Sequence, residues 1–170
     1  MNDRIPLYKL KLVRERWAIC PATSLGHPLL AAVFFHRLIG QADREHSAAL
    51  FLDAHGKPTG ATILGIGSLV TTPMPAREVF KAALLANAFS VILAHNHPSG
   101  SIKPSPRDIS VTRSLMQAGE LLGIRVLDHI ITTPDGSFCS MSEAKLLSVA
   151  RFDGDDNFIN SEPLTPYFKE

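Results

Sequence analysis

Cysteine is scarce in this sequence, and Cys20 and Cys139 are the only two. They lie far apart and form no Cys-x-x-Cys pair, which excludes a four-cysteine zinc site and a disulfide framework. Long apolar runs are missing too, because none reaches the roughly 18 residues of a membrane-spanning helix. The first residues, MNDRIPLYKLKL, lack the apolar core of a signal peptide. We therefore expect a cytoplasmic protein without a membrane partner.

An excess of charge of either sign is also missing. The 170 residues include 17 Lys and Arg against 16 Asp and Glu, which gives a net charge of +1. A protein with so little net charge has no overall basic field to attract nucleic acid. Hydrophobic residues make up 45 % of the chain, which predicts an ordinary globular domain with a core of its own.

The spacing of apolar residues predicts an α/β fold with a mixed sheet. Strands are predicted over 7–19, 91–94 and 124–134, a hairpin over 47–70, and helices over 27–40, 76–88, 105–123 and 142–150. Beyond residue 151 the apolar density falls, so we expect a loose tail over 151–170.

The stretch VILAHNHPSG, residues 91–100, places two histidines where the predicted buried strand ends. If the strand continues to His97, alternation puts His95 and His97 on one face, roughly 7 Å apart, and Asn96 on the other. Asp108 lies in the first turn of the next predicted helix, so its carboxylate can return to the two imidazoles. Two nitrogens and one oxygen suit zinc, with a fourth position for water.

These residues also have ordinary structural explanations. Ser105, Pro106 and Asp108 form a good helix start, with serine at the cap, proline at the first position and an acid at the third. A His-x-His pair alone is weak evidence, because polar strand ends carry histidines for other reasons. The conjunction of His, His, Ser and Asp at these offsets, on a predicted strand–loop–helix unit, favours the metal site.

The spacing His95-x-His97, seven residues, Ser105, two residues, Asp108 resembles the JAMM/MPN+ metalloprotease signature. The longer string AHNHPSGSIKPSPRDISVTRSLMQAGELLGIRVLDHII is similar to the RadC-like branch of that superfamily. The resemblance implies a three-layer α/β/α fold of the cytidine-deaminase-like (JAB/MPN) kind. It implies zinc-dependent hydrolysis of peptide or isopeptide bonds as the chemistry. The chain then divides into a strand-like extension (1–28), a RadC-like JAB/MPN domain (29–150) and a loose tail (151–170).

Carried over to this chain, the resemblance implies that His95, His97 and Asp108 are the zinc ligands. Ser105 would hydrogen-bond the activated water or the developing oxyanion. His129 follows Asp128 in a predicted strand, a position typical of a packed side chain, with a contact behind a metal ligand as the alternative.

The signature also requires an upstream glutamate as general base, which takes a proton from the water. Glu45, in QADREHSAALFLD, stands where the family has that acid. The alternative interpretation of Glu45 is a surface charge in the run Asp-Arg-Glu-His. Glu78 is a second candidate, but it lies inside a helix pattern that is typical of an ion-pairing residue.

Two classes of function follow. The first is a zinc metallopeptidase or isopeptidase acting on a peptide or isopeptide substrate. The alternative is a non-catalytic MPN-type module that binds protein or DNA. The intact ligand set favours the hydrolase, because a scaffold has no need of two histidines and an aspartate. A deaminase of the same fold is excluded, since it would need a His-x-Glu and a Cys-x-x-Cys pair, and neither is present.

Overall fold

The computed structural model describes residues 4–25, 27–67, 74–147, 150–152 and 158–160. A five-stranded mixed sheet forms its centre, with the strand order β2-β1-β3-β4-β5. The strands are β1 (His46–Leu52), β2 (Pro58–Ile66), β3 (Ser90–Asn96), β4 (Arg125–Thr132) and β5 (Phe138–Ser140). Strands β3 and β4 are parallel, and every other neighbouring pair in this sheet is antiparallel. The predicted hairpin is therefore confirmed as β1–β2.

Helices cover both faces of the sheet. They are α1 (Pro28–Phe35), which continues as a π-helical turn (His36–Gly40), α2 (Ala76–Leu85) and α3 (Pro106–Leu122). On one face, α1 packs against a cluster that includes Leu50, Ile92 and Ile130. On the other, α2 and α3 pack against a cluster that includes Phe51 and Leu93. The three-layer α/β/α fold expected from the sequence is confirmed.

Strand β3 is buried along its whole length. Its residues alternate between the two cores, since Val91 and Leu93 belong to the α2/α3 side and Ile92 and Ala94 to the α1 side. A strand covered on both faces is expected to be continuously apolar, as VILA is. The polar residues that follow mark the end of the strand rather than an exposed face.

The start of α3 is fixed by Ser105. Its side chain accepts from the backbone N–H of Asp108, and the Asp108 side chain accepts from the backbone N–H of Ser105. This reciprocal capping satisfies donors that the first helical turn otherwise leaves unpaired. The helix ends at Gly123, whose φ of 68° is left-handed and favours glycine. Both ends agree with the prediction.

Three predicted segments differ from the structure. Residues 7–19 form no strand, because no strand in the described part of the chain pairs with them, and these residues are exposed. Of the helix predicted over 142–150, residues 142–147 form turns and no helix, and Lys145 has a left-handed conformation (φ 57°). Residues 148 and 149 lie outside the described residues, and Ala150 begins a strand. Within the expected loose tail, β6 (Ala150–Phe152) pairs with β7 (Phe158–Asn160). The rest of the tail lies outside the described residues.

Within the described ranges, no helix is both long and apolar enough to cross a membrane.

At Gly119, α3 leaves no room for a side chain. A Cβ at this position would lie 2.3 Å from the Ile124 carbonyl oxygen and 3.2 Å from the Phe80 ring. Helix propensity favours alanine over glycine by about 1 kcal/mol, but overpacking of this kind costs about 1–3 kcal/mol. We expect Gly119→Ala to lower the free energy of unfolding, measured by urea denaturation. Ser110→Ala, on an exposed position of the same helix, is the control and should leave it unchanged or slightly raised. A more stable Gly119→Ala protein would contradict this packing.

Candidate metal centre

His95 and His97 lie at the end of β3, where the strand leaves the core. His95 is buried, with 4 % of its surface exposed, and His97 is half-buried. Their Nε2 atoms are 2.9 Å apart. The backbone N–H of His97 donates to the Thr132 carbonyl, which extends the ladder with β4 by one residue. The strand alternation predicted from the sequence therefore continues to His97.

Asp108 reaches the same place from the first turn of α3. Its Oδ2 accepts hydrogen bonds from the backbone N–H and the hydroxyl of Ser105, both at 2.7 Å. Its Oδ1 lies 3.7 Å from Nε2 of His95. The two carboxylate oxygens thus have different partners, one in the helix cap and one facing the imidazoles. The helix-start explanation and the metal explanation of Asp108 are therefore compatible.

The structure brings the three predicted ligands together. One ligand atom from each of His95, His97 and Asp108 lies within 4.8 Å of the others. Among the described residues, this is the one group of at least three His, Cys, Asp or Glu side chains with the spacing to hold a metal ion.

The hydrogen bonds of His97 test whether this group fits a metal. Its Nδ1 lies 2.6 Å from the Ser101 carbonyl oxygen. A carbonyl only accepts, so Nδ1 carries the proton and Nε2 presents a lone pair toward His95 and Asp108. A backbone carbonyl is one of the usual acceptors for the outer N–H of a metal-binding imidazole, and it fixes the tautomer and orientation of the ring. His97 has the outer contact that a metal ligand requires.

His95 is neutral in this setting. Burial lowers the pKa of His95 to about 4, although the Asp108 carboxylate opposes that shift. An imidazole must be neutral to bind a metal, and one with so low a pKa needs no deprotonation at neutral pH. The charge state of His95 is therefore also right for a ligand.

Behind His95 lie two residues that the signature does not include. Nδ1 of His95 is 2.7 Å from Nε2 of His129, and Nδ1 of His129 is 2.6 Å from the Thr112 hydroxyl. His129 is fully buried, and that burial lowers its pKa well below the ordinary value. For His129, the structure favours a contact behind a ligand over simple packing. Sequence reasoning missed Thr112, although its position four residues after Asp108 places it on the same face of α3.

Glu45 lies directly before β1. It is 8 % exposed, so it is not the surface charge that its neighbours in sequence suggest. In the β1–β3 register Ser47 pairs with His95, so Glu45 lies two residues before the strand position opposite a candidate ligand. The Glu45 carbonyl accepts from the N–H of Gly67 at 2.8 Å. The structure thus places the predicted base in a buried position, two residues before the strand partner of a predicted ligand.

Asn96 holds the segment that carries Glu45. Its side-chain nitrogen donates to the carbonyls of Ala42 (3.4 Å) and Arg44 (3.2 Å), and its oxygen accepts from the His46 N–H at 2.6 Å. Asn96 is completely buried. These hydrogen bonds connect the end of β3 to the segment before β1. Asn96 lies between the two candidate ligands in sequence, so the connection is made at the candidate metal site.

The second candidate base, Glu78, and the side chains of His27, His36 and Cys139 lie outside the metal-binding group. Glu78 pairs with Lys81 on the exposed side of α2, which agrees with its interpretation as an ion-pairing residue. His27 caps the start of α1, and His36 contacts the Thr133 carbonyl. Cys139 pairs with Ile131 across β4 and β5.

Known proteins resemble this chain over the same region. Residues 26–146 match the family model of the RadC-like JAB domain. A UPF0758 protein of Shouchella clausii is 51 % identical over 133 residues, which are 78 % of this chain and 56 % of that protein. One of Aromatoleum aromaticum is 47 % identical over 71 % of this chain and 53 % of its own length. One of Methanococcoides burtonii is 46 % identical over 62 % and 45 %. The chain spans about half the length of these curated relatives.

The role of Asn96 gives a stability prediction. Asn96→Asp keeps the shape of the side chain but removes both N–H donors, so it leaves two carbonyls unpaired and sets a carboxylate against them. We expect the free energy of unfolding to fall by about 3 kcal/mol, measured by urea denaturation at neutral pH. Asn87→Asp, the same chemical change at an exposed position, should have little effect. Equal effects of the two substitutions would show that Asn96 does not hold the 42–46 segment.

Proposed function

The chain belongs to the RadC-like JAB domain family, and on that premise we propose that it is a zinc-dependent hydrolase of peptide or isopeptide bonds. The observation that carries this proposal is the convergence of His95, His97 and Asp108 within 4.8 Å. Three side chains from two elements, held by separate hydrogen bonds, form a set of ligands rather than a chance group of polar residues.

Zinc is the metal that this donor set suits best. Two neutral imidazole nitrogens and one carboxylate oxygen are typical of catalytic zinc sites, which use three protein ligands and leave a fourth position open. When bound there, zinc supplies a more acidic water and polarises the carbonyl of the bond to be cleaved. The fixed tautomer of His97 and the divided roles of the Asp108 oxygens support this assignment.

Glu45 is the proposed general base. Its carboxylate would accept a proton from the attacking water and deliver it to the leaving amine. Its burial, its position two residues before the strand partner of His95 and the anchoring of its segment by Asn96 support that role. Ser105 fixes Oδ2 of Asp108 by two hydrogen bonds. A contact of its hydroxyl with the water or the oxyanion remains part of the proposal.

A non-catalytic module that binds protein or DNA is the second candidate, and one observation favours it. Residues 5–19 expose large apolar side chains, among them Leu7, Tyr8 and Trp17, each at least 80 % exposed. An exposed apolar surface of this kind suits a protein partner. A cytoplasmic setting is part of both proposals, since Cys20 and Cys139 are free thiols.

Metal content tests the first part of the proposal. We expect the purified protein to hold about one zinc per chain, and His97→Ala to lose it while staying folded, because His97 is a half-buried residue at a strand end. Elemental analysis after dialysis measures the metal, and circular dichroism measures the fold. His55→Ala, which removes an exposed histidine, should keep the zinc. A wild-type protein that stays metal-free after refolding with zinc would refute the assignment.

Hydrolysis tests the second part. The zinc-loaded protein is screened against peptides, isopeptide-linked peptides and DNA. For the substrate that is cleaved, Glu45→Gln should lower kcat by about 10²- to 10⁴-fold, because it removes the base and leaves the ligands in place. Glu78→Gln, which changes an exposed helix residue, should leave kcat unchanged, and both variants should keep their zinc.

Two results would count against this mechanism. Unchanged turnover in Glu45→Gln would show that Glu45 is not the base. Cleavage of none of the three substrate classes, together with capture of a protein ligand by residues 5–19, would favour the binding module.

A further inference from the structure

A chain of buried hydrogen bonds joins one candidate ligand to the backbone of another. It runs from Nδ1 of His95 to Nε2 of His129 (2.7 Å) and from Nδ1 of His129 to the Thr112 hydroxyl (2.6 Å). The Thr112 hydroxyl also lies 2.6 Å from the Asp108 carbonyl oxygen. His129 and Thr112 are at most 2 % exposed. The chain therefore connects β3, β4 and α3 through groups that water does not reach.

The donor-to-acceptor direction of these hydrogen bonds depends on which ring nitrogen of His95 carries the proton. If Nε2 of His95 binds a metal, it carries no proton, so the proton of this neutral ring lies on Nδ1. Nδ1–H of His95 then donates to Nε2 of His129, whose own proton lies on Nδ1 and donates to Thr112. The Thr112 hydroxyl in turn donates to the Asp108 carbonyl. Every group in the chain is satisfied, and the same chain holds His95 and Asp108.

The opposite direction is equally consistent without a metal. Nε2–H of His95 can donate to Nε2 of His97, 2.9 Å away, which presents a lone pair because its Nδ1–H donates to Ser101. Nδ1 of His95 then accepts from Nε2–H of His129, and Nδ1 of His129 accepts from the Thr112 hydroxyl. In this direction the Asp108 carbonyl loses its bond from Thr112. Each ring keeps one proton in both directions, so reversal changes positions of protons and not their number.

We infer that Thr112 and His129 are positioning residues for the metal, and that metal binding sets the direction of the hydrogen-bond chain. This inference rests on the metal site proposed above. Thr112 is the residue that permits both directions, because a hydroxyl both donates and accepts. It makes two bonds in the metal-bound direction and one in the other, so it favours the first. Outer contacts of this kind tune metal affinity by about 10- to 100-fold.

The ring protons of the histidines report the direction in the wild-type protein. With ¹⁵N-labelled histidine, long-range ¹H–¹⁵N spectra distinguish a protonated from an unprotonated ring nitrogen. We expect His129 to carry its proton on Nε2 in the metal-free protein and on Nδ1 after zinc is added. Zinc suits this experiment because it is a closed-shell ion without redox chemistry. The spectrum of His129→Asn assigns the signals.

Substitutions of Thr112 test its part in binding. Thr112→Val keeps the shape but neither donates nor accepts, so zinc affinity, measured by competition with a chelator, should fall about tenfold or more. Thr112→Ser keeps the hydroxyl and should bind within about threefold of wild type. Ser114→Ala is the matched control, because the Ser114 hydroxyl bonds the carbonyl four residues back on the same helix, at 3.1 Å, but is exposed. It should bind zinc like wild type.

The outcomes separate this inference from the proposed function. If wild type takes up no zinc, the metal site fails and the inference fails with it. If wild type binds zinc but His129 keeps its proton on Nε2, or Thr112→Val binds as tightly as wild type, the inference alone is overturned. A shift of the His129 proton to Nδ1 with zinc, together with weakened binding in Thr112→Val and restored binding in Thr112→Ser, supports it.

Discussion

The burial of β3 on both faces is the constraint on which the rest of this structure depends. The strand lies at the centre of the sheet, between β1 and β4, so its backbone is paired on both sides and its side chains enter two cores. Polar groups at its end must find partners within the protein, because an unpaired buried polar group is costly. His95, Asn96 and His97 each meet that requirement differently. The Asn96 side chain bonds to the backbone of the segment before β1. The His95 and His97 rings point one nitrogen toward Asp108 and the other toward His129 and the Ser101 carbonyl, respectively.

In the first turn of α3, the same hydrogen bonds cap the helix and orient a candidate ligand. The cap that starts the helix also orients the carboxylate of Asp108, since Oδ2 is occupied by Ser105 while Oδ1 faces His95. One turn later, the Thr112 hydroxyl hydrogen-bonds to the Asp108 carbonyl and to His129. A helix start of ordinary chemistry thus becomes a rigid support for a candidate ligand. Rigid support matters for a metal site, because ligand geometry must be held within a fraction of an ångström.

Much of the fold could be predicted because its signals are local. The apolar run before His95 predicted a buried strand, and Ser105, Pro106 and Gly123 predicted both ends of α3. Local signals failed where a partner was needed. Residues 7–19 have the alternation of a strand but find no pairing strand among the described residues. Residues 142–147 contain helix-forming residues but form only turns, and the left-handed Lys145 interrupts them. The spacing of apolar residues shows which face of a strand or helix would be buried. It does not show whether another element of the protein packs against that face.

The sequence by itself determined the candidate ligands, because His95, His97, Ser105 and Asp108 lie within one strand–loop–helix unit whose geometry follows from short-range rules. Only the tertiary structure decided which residues stand behind them. His129 is 34 residues from His95 and 17 from Thr112, and their contacts depend on the parallel register of β3 with β4 and on the packing of α3 across that pair. The burial of Glu45 is likewise visible only in the tertiary structure. No local pattern contains such information, because register and packing are properties of elements that meet only after the chain has folded.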